Sequence, residues 1–569
     1  MHVVKWMWAG LCLAAYLCAG CFSVGRHTSY VFTPDGPSAD TSPPGTTRRE
    51  LRAAAAPAVK AGWADDNAQY NRYLHYLDRF AHLETLKLDV NGRFEFTVLD
   101  ADGKSVPNCP LTVVAANGRV LCRRTTYADG RAMFFPYESG EAEAAAFRVE
   151  ADAGGGGGRS VAAAFDLHGP RSIELRLSDP RPAVRSVPLD VALLIDTTGS
   201  MGDEIDKLKR TLAAIHFQIR QMTPKPDVRF AMVEYRDRGG DAYVTRVTPF
   251  TTDVKSFSAA LQAVRAAGGG DAPEDLQEAL RKTKDLAWRA DAVRMAFLLG
   301  DARPHIDYGQ PMTYVDFMQH AAAKGIKIIT IGASGLSPTG EYVFRQLAQY
   351  TRGLFVFLTY GETGESGDDS RALVSHHTGE NWQARNLDEI IVKAVRRELS
   401  HLSATPMRLA EDYFQARAAE GVAGGRVLEQ LFTECARQLV GFSKAKIEKD
   451  TPVAVLPSTR TGCGVAVADA LGDRLGVALA GEPTLKLVER KNLQDLLDEM
   501  RMSELPAFDA RLAPQAGRQL PAKILVLSKI ARAPGRYDMF VKMVRVATGE
   551  VLSATLLKID AHLVAAPAG

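Results

Sequence analysis

Asp196, Thr198 and Ser200 stand two residues apart, directly after the apolar run Val191-Ala192-Leu193-Leu194-Ile195. One carboxylate and two spaced hydroxyls are hard oxygen donors, the kind that Mg2+, Mn2+ or Ca2+ takes. Two further segments offer the same chemistry. Gly268-Gly269-Gly270-Asp271-Ala272-Pro273-Glu274 places a carboxylate in a glycine-rich loop, and Asp301 follows the apolar Phe297-Leu298-Leu299-Gly300. Asp196, Thr198, Ser200 and Asp301 are therefore candidate metal ligands, with Asp271 as a fifth. Each also has a plainer role open to it. Asp196 and Ser200 could cap the following helix, and Asp301 could be a turn residue. Asp271-Ala272-Pro273-Glu274 also spells a helix cap with Pro and Glu in the first turn.

Such donors converge only if the strands before them end side by side. From Pro188 to about Leu402 the sequence alternates between strand and helix patterns. Strands are predicted at 189–195, 228–235, 293–300, 326–332 and 353–358. Helices are predicted near 201–221, 254–266, 273–287, 311–324, 338–351 and 387–402. The strands are continuous apolar runs, as expected where helices cover both faces of a parallel sheet. Ile205, Leu208, Leu212, Ile215 and Ile219 form a stripe that reads as core. In a doubly wound sheet, ligands bind outside the carboxyl ends of the strands, where Asp196 and Asp301 fall. Glu234-Tyr235-Arg236-Asp237-Arg238 ends the second strand before a polar hairpin, with a structural Arg236–Asp237 pair expected. His305 reads as a solvated loop residue near the rim.

Three segments together, Asp196-Thr197-Thr198-Gly199-Ser200-Met201, the Gly268–Glu274 loop and Phe297-Leu298-Leu299-Gly300-Asp301, resemble the von Willebrand factor type A (VWA) fold. The resemblance covers residues 187–403 and extends to that family's metal-ion-dependent adhesion site. It implies hydroxyl ligands at Thr198 and Ser200, with Asp196 and Asp301 holding Mg2+ (or Mn2+/Ca2+) directly or through water. An open coordination position would then accept an acidic side chain from a protein partner. Thr198 replaces the family's usual Ser and keeps the hydroxyl. Asp271 lies where the family has Thr; as a ligand, its charge would tighten cation binding and weaken attraction for an acidic partner.

The 569 residues suit several domains, and a formal net charge of +2 with no basic stripe argues against nucleic-acid binding. Lys5 followed by the short apolar stretch Trp6–Ala19 reads as an export signal. Leu17-Cys18-Ala19-Gly20-Cys21 resembles a bacterial lipobox, which implies lipidation of Cys21 and a signal over 1–21. An ordinary secretory signal or an uncleaved anchor are the alternatives, and all three export the chain. Residues 22–69, rich in Pro, Ser, Thr and Gly and then Ala, read as a linker or tether. Residues 70–86 read as a short amphipathic helix through Tyr73, Tyr76, Phe80 and Leu83.

Residues 87–182 alternate in the manner of β-strands, with turns at Asp100-Ala101-Asp102-Gly103, Asn117-Gly118 and Ala128-Asp129-Gly130. They resemble the small β-sandwich, regulatory-like modules of exported bacterial proteins. Asp100, Asp102 and Asp129 read as turn residues rather than calcium ligands. Cys109 and Cys122 flank the Asn117-Gly118 turn. A tight turn sets Cys122 opposite Val113, so a bridge would need a longer loop, and buried thiols are the alternative.

After a helical connector at 404–426, residues 427–560 read as a further α/β (α+β) unit. Val453-Ala454-Val455-Leu456-Pro457, Val488-Glu489-Arg490 with Leu493 and Leu496-Leu497, and Ala547-Thr548-Gly549-Glu550-Val551-Leu552 carry a resemblance. They resemble the flagellar outer-membrane lipoprotein (FlgO-like) domain, related to curli-secretion lipoproteins. Glu489 and Arg490 read as an ion pair. The expected protein is multidomain, with a β-sandwich, a Rossmann-like VWA domain and a FlgO-like domain. It would be an exported, lipid-anchored envelope protein that binds a protein partner, rather than an enzyme. A metal-assisted hydrolase using Asp196, Asp301 and His305 is one alternative. A scaffold whose metal site is non-functional is another.

Overall fold

The apolar runs that end in Asp196 and Asp301 become neighbouring strands at the centre of one sheet. A computed structural model describes residues 60–138, 145–154, 160–182, 186–239, 242–269, 273–333, 335–359, 387–403, 414–416, 424–488 and 521–564. Cys21, the signal, the linker as far as residue 59, Asp271 and the Glu489–Arg490 pair lie outside them.

The chain begins its described course with β1 (Lys60–Ala64) and α1 (Tyr70–Arg79). Lys60–Ala64 corrects the linker expected over 22–69. These residues pair antiparallel with a strand at Phe355–Thr359 and close one edge of the central sheet. Helix α1 is shorter than the expected 70–86. It buries Tyr73 and Tyr76, which join the core under that sheet.

Among the described residues, those in 94–176 form seven strands in two sheets. They are β2 (Phe94–Leu99), β3 (Pro110–Ala115), β4 (Val120–Thr125), β5 (Arg131–Phe134), β6 (Ala146–Asp152), β7 (Ser160–Asp166) and β8 (Ser172–Arg176). The orders are β5-β2-β8 and β4-β3-β6-β7, and Phe94, Phe96, Phe134 and Phe147 share one core between them. Cys122 faces Val113 across β3 and β4, but through a bulge: Val114 pairs with Val120, so Leu121 is skipped between the two pairs, and Cys109 and Cys122 are both free thiols. Burial pushes the Cys109 thiol up to about 12, so it sits as a packed apolar group.

The central domain follows as β9 (Ser186–Asp196), α2 (Gly202–Arg220), β10 (Lys225–Tyr235), β11 (Thr245–Thr251), α3 (Val254–Ala263) and α4 (Leu276–Lys284). It continues with β12 (Val293–Gly300), α5 (Tyr314–Lys324), β13 (Ile326–Gly332), α6 (Pro338–Tyr350), β14 (Phe355–Thr359) and α7 (Leu387–Ser400). The seven-stranded order is β1-β14-β13-β12-β9-β10-β11, parallel from β14 to β10 and antiparallel at both edges. Alternation along β9 splits the core. Leu189, Val191, Leu193 and Ile195 pack on the α2, α3 and α7 face, while Ala192 and Leu194 pack against α4, α5 and α6. The chain leaves β9 towards β10 and later returns on its other side as β12. The strand order therefore reverses between β9 and β12, where a doubly wound sheet opens a crevice.

The C-terminal module begins before the expected 427. Strand β15 (Phe414–Ala416) pairs with a strand at Val551–Asp560, and α8 (Gly424–Gly441) starts within 404–426. These elements correct the helical connector expected there. A short extended segment gains no periodic signal, because three residues cannot show alternation. The rest comprises β16 (Thr451–Val455), β17 (Thr459–Thr461), α9 (Val465–Ala480), β18 (Leu485–Leu487), β19 (Ile524–Ala533), β20 (Arg536–Arg545) and β21 (Val551–Asp560). Its order is β15-β21-β20-β19-β16-β18, with β17 on β19.

All these modules belong to one unit, residues 56–569. Arg352 is the chief clamp between the β-module and the central domain. Its guanidinium reaches Glu95 at 2.5 Å and Asp129 at 2.9 Å, so Asp129 is an interface anchor as well as a turn residue. Asn71 of α1 ties the C-terminal module on, donating to the Val440 carbonyl at 3.1 Å and accepting from the Ile447 amide at 2.7 Å.

Candidate metal-binding site

Strands β9, β10 and β12 end together on one sheet edge, with Asp196 opposite Tyr235 in register and Ile195 opposite Leu299. The loop after β9 is pinned before it becomes α2. Asp196 Oδ1 accepts from the Thr198 amide at 3.0 Å and the Thr198 hydroxyl at 2.7 Å. The Thr198 and Ser200 hydroxyls lie 3.5 Å apart, and Ser200 donates to the Asp301 carboxylate. Asp196, Thr198, Ser200 and Asp301 thus converge on one point at the crevice.

A second loop closes over this point. The Ala267 amide donates to the Thr197 carbonyl at 3.1 Å, and the Gly199 amide to the Gly268 carbonyl at 3.0 Å. Gly269 has a φ of +71°, and a Cβ there would lie 2.9 Å from the Thr198 Cβ, so only glycine fits. Arg236 locks the two loops together, donating to the Thr197 carbonyl at 3.1 Å and the Arg265 carbonyl at 2.8 Å. This corrects the expected Arg236–Asp237 pair. Asp237 instead accepts from the Tyr308 hydroxyl at 2.8 Å. His305 is not a solvated residue either. Its Nδ1 lies 2.7 Å from Asp307, its Nε2 3.4 Å from Asp237, and its ring stacks on Tyr308.

The helix cap assigned to Asp271 belongs to Asp275, whose carboxylate accepts from the Glu278 amide at 3.1 Å. Helix α4 starts at Leu276, so Pro273 and Glu274 precede it. Glu274 is instead a buried carboxylate beside the site: its Oε1 lies 3.3 Å from where a Gly269 Cβ would be. Sequence reasoning missed it because Asp-x-Pro-Glu spells a helix start, whereas Asp275-x-x-Glu278 also has capping spacing.

The electrostatics call for a cation. Asp196 is fully buried, and its Oδ2 has no hydrogen-bond partner among the described residues. Burial first, and then the Asp301 charge, push the Asp196 carboxyl up to about 7. Burial raises Asp301 as well. The Tyr235 hydroxyl, also buried without a hydrogen-bond partner among the described residues, feels Asp196, Asp301 and Glu274. A donor set of two carboxylates and two hydroxyls fits a hard divalent ion. Two of these four donors are hydroxyls, so a cation held here would rely on Thr198 and Ser200 as well as on the carboxylates.

Residues 190–360 match the von Willebrand factor A domain family model. The alpha-protein kinase vwkA of Dictyostelium discoideum is 25% identical over 117 residues, 21% of this chain and 19% of that protein. The von Willebrand factor A domain-containing protein 7 of Homo sapiens is 36% identical over 107 residues, 19% of this chain and 11% of that protein. The chain therefore spans less than a fifth of the length of these curated relatives. The solved LpoB C-terminal domain from Escherichia coli covers 23% of this chain and 98% of its own length, at 16% identity and a TM-score of 0.21. The family match, taken with the strand order and the loops that end β9 and β12, supports a von Willebrand factor A domain at the centre of this chain.

Proposed function

We propose that this chain is a cell-envelope protein that binds a protein partner through a divalent cation on the carboxyl edge of its central sheet. Outer-membrane or surface assembly is the setting that its sequence features favour. The observation that carries the reading is the buried Asp196 beside the half-buried Asp301 at the crevice, with the Thr198 and Ser200 hydroxyls turned to them. These four residues would hold Mg2+, Mn2+ or Ca2+, and Asp271 follows Gly269 two positions on in the sequence as a further candidate. A bound ion would supply a positive centre that an acidic side chain of the partner completes. Ile306, 39% exposed and five residues beyond Asp301, offers that partner an apolar contact at the rim. Both His305 ring nitrogens are engaged, by Asp307 and Asp237, which favours binding over a hydrolase in which His305 would join Asp196 and Asp301 as a metal ligand.

The lipobox-like Leu17-Cys18-Ala19-Gly20-Cys21 supports a lipid anchor at Cys21. Among the described residues, no helix is long and apolar enough to cross a membrane. Affinity capture with the full chain tests the binding reading. A partner should be retained with Mg2+ and lost with EDTA or in Ser200→Ala; retention under all three conditions would defeat it. Labelled lipid should enter the wild type and not Cys21→Ser.

A further inference from the structure

A second charged site lies at the opposite, amino-terminal edge of the central sheet. There the β-module, the VWA domain and the C-terminal module border a half-open cavity of about 310 Å3. That volume suits a small ligand. Four carboxylates line it, and each already has a cation. Glu95 takes Arg352 at 2.5 Å and Arg131 at 3.4 Å, and Asp129 takes Arg352 at 2.9 Å. Asp65 takes Arg397 at 3.1 Å, and Glu398 is paired with Lys327.

Three more cations line the same cavity without such a match: Arg93, Arg171 and Lys444. Arg93 is 5% exposed. It donates to the Asn67 carbonyl at 3.2 Å and lies over the Tyr70 ring at 3.8 Å. Arg171 donates to the Gly92 and Leu167 carbonyls at 3.2 and 2.6 Å and covers the Phe94 ring. Lys444 Nζ donates to the Ser172 hydroxyl at 3.2 Å. Among the described residues, no carboxylate oxygen lies within ion-pair distance of these three side chains. Glu550, which accepts from the Arg171 amide, pairs instead with Arg545 at 4.0 Å. Burial draws both Arg93 and Arg171 below the usual arginine range, and the nearby carboxylates, Glu95 for Arg93 and Glu550 for Arg171, do not offset it. Collecting such groups around a cavity is unfavourable unless an anion completes it.

We propose that this junction cavity binds a small anion bearing phosphate or carboxylate oxygens, held by Arg93, Arg171 and Lys444, with Ser172 as a hydroxyl donor. The three cations come from two modules, with Arg93 and Arg171 on the β-module and Lys444 on the C-terminal module. An occupant therefore bridges them.

Calorimetric titration of the full chain with pyrophosphate and with citrate, in metal-free buffer at fixed ionic strength, tests the proposal. At least one probe should bind at one site per chain. Lys444→Gln and Arg171→Gln should each weaken that binding about tenfold, the worth of one charge-assisted hydrogen bond. Lys444 is exposed, so its variant should keep the wild-type melting temperature. Asp196→Ala should bind the anion as the wild type does, which separates this cavity from the metal edge. Failure of both probes to bind, or equal binding in both cavity variants, would overturn the proposal.

Discussion

Asp196→Asn isolates the charge on which the metal site depends. Asparagine keeps the oxygen that accepts from the Thr198 amide and hydroxyl, and removes only the ionisable group. Burial and Asp301 hold the Asp196 carboxyl at about 7, against an ordinary value of 3.8. At about 1.36 kcal/mol per unit, ionising it in the metal-free fold costs at most about 4 kcal/mol, and about 2 after local relaxation. A carboxyl raised on folding contributes fully below its unfolded value, and that contribution is lost as pH rises through 7. In EDTA at pH 8, Asp196→Asn should therefore be more stable than wild type by about 2–4 kcal/mol. At pH 5 the gap should fall to less than half, because the wild-type carboxyl is then largely protonated. Excess Mg2+ should stabilise the wild type and leave the variant unchanged. Urea unfolding, followed at both pH values with and without Mg2+, measures all three. If the Asp196→Asn variant in EDTA is less stable than wild type, by the same margin at both pH values, the buried charge is not the strained element and the reasoning fails.

Three further outcomes follow from specific contacts. Burial alone would raise Glu95, but Arg352, with Arg131 and Arg93, overcomes it and holds the carboxyl at about 2. Its stabilisation is present above about 4.5 and lost as pH falls towards 2, so Glu95→Gln should cost about 3 kcal/mol at pH 7 and flatten the acid limb of a stability profile. Gly300→Ala would set a Cβ 2.6 Å from the Tyr235 hydroxyl, which should cost about 1–3 kcal/mol and lower metal affinity by displacing Tyr235 against Asp196. Arg236→Leu removes the lock between the two loops and should weaken Mn2+ binding about 10–100-fold while far-UV circular dichroism stays wild-type.

The strand ends that carry Asp196 and Asp301 were legible because buried parallel strands are unbroken apolar runs, and such runs announce themselves without help from the rest of the chain. Lys60–Ala64 and Phe414–Ala416 were not. An edge strand is specified largely by the partner it pairs with, and five or three residues hold too little pattern to be read alone. The hydroxyl and carboxylate ligands could be named from spacing, whereas Glu274 and Arg236 owe their places to loop closure between segments far apart in sequence. Arg352 shows the same limit: its partners Glu95 and Asp129 lie in another module, so no local signal marks it as a clamp. Cys122 does oppose Val113, as a tight turn would place it, but the bulge that produces this pairing, with Val114 on Val120, was not legible from turn residues alone.

Mn2+ binding to the full chain, read by the loss of free-ion electron paramagnetic resonance signal, tests the cation-dependent face most directly. One ion per chain should bind to the wild type, be displaced by Mg2+, and be lost in Asp196→Ala and in Asp301→Ala. Absence of a bound ion in the wild type, or undiminished binding in both variants, would contradict a metal site at the carboxyl edge of β9 and β12.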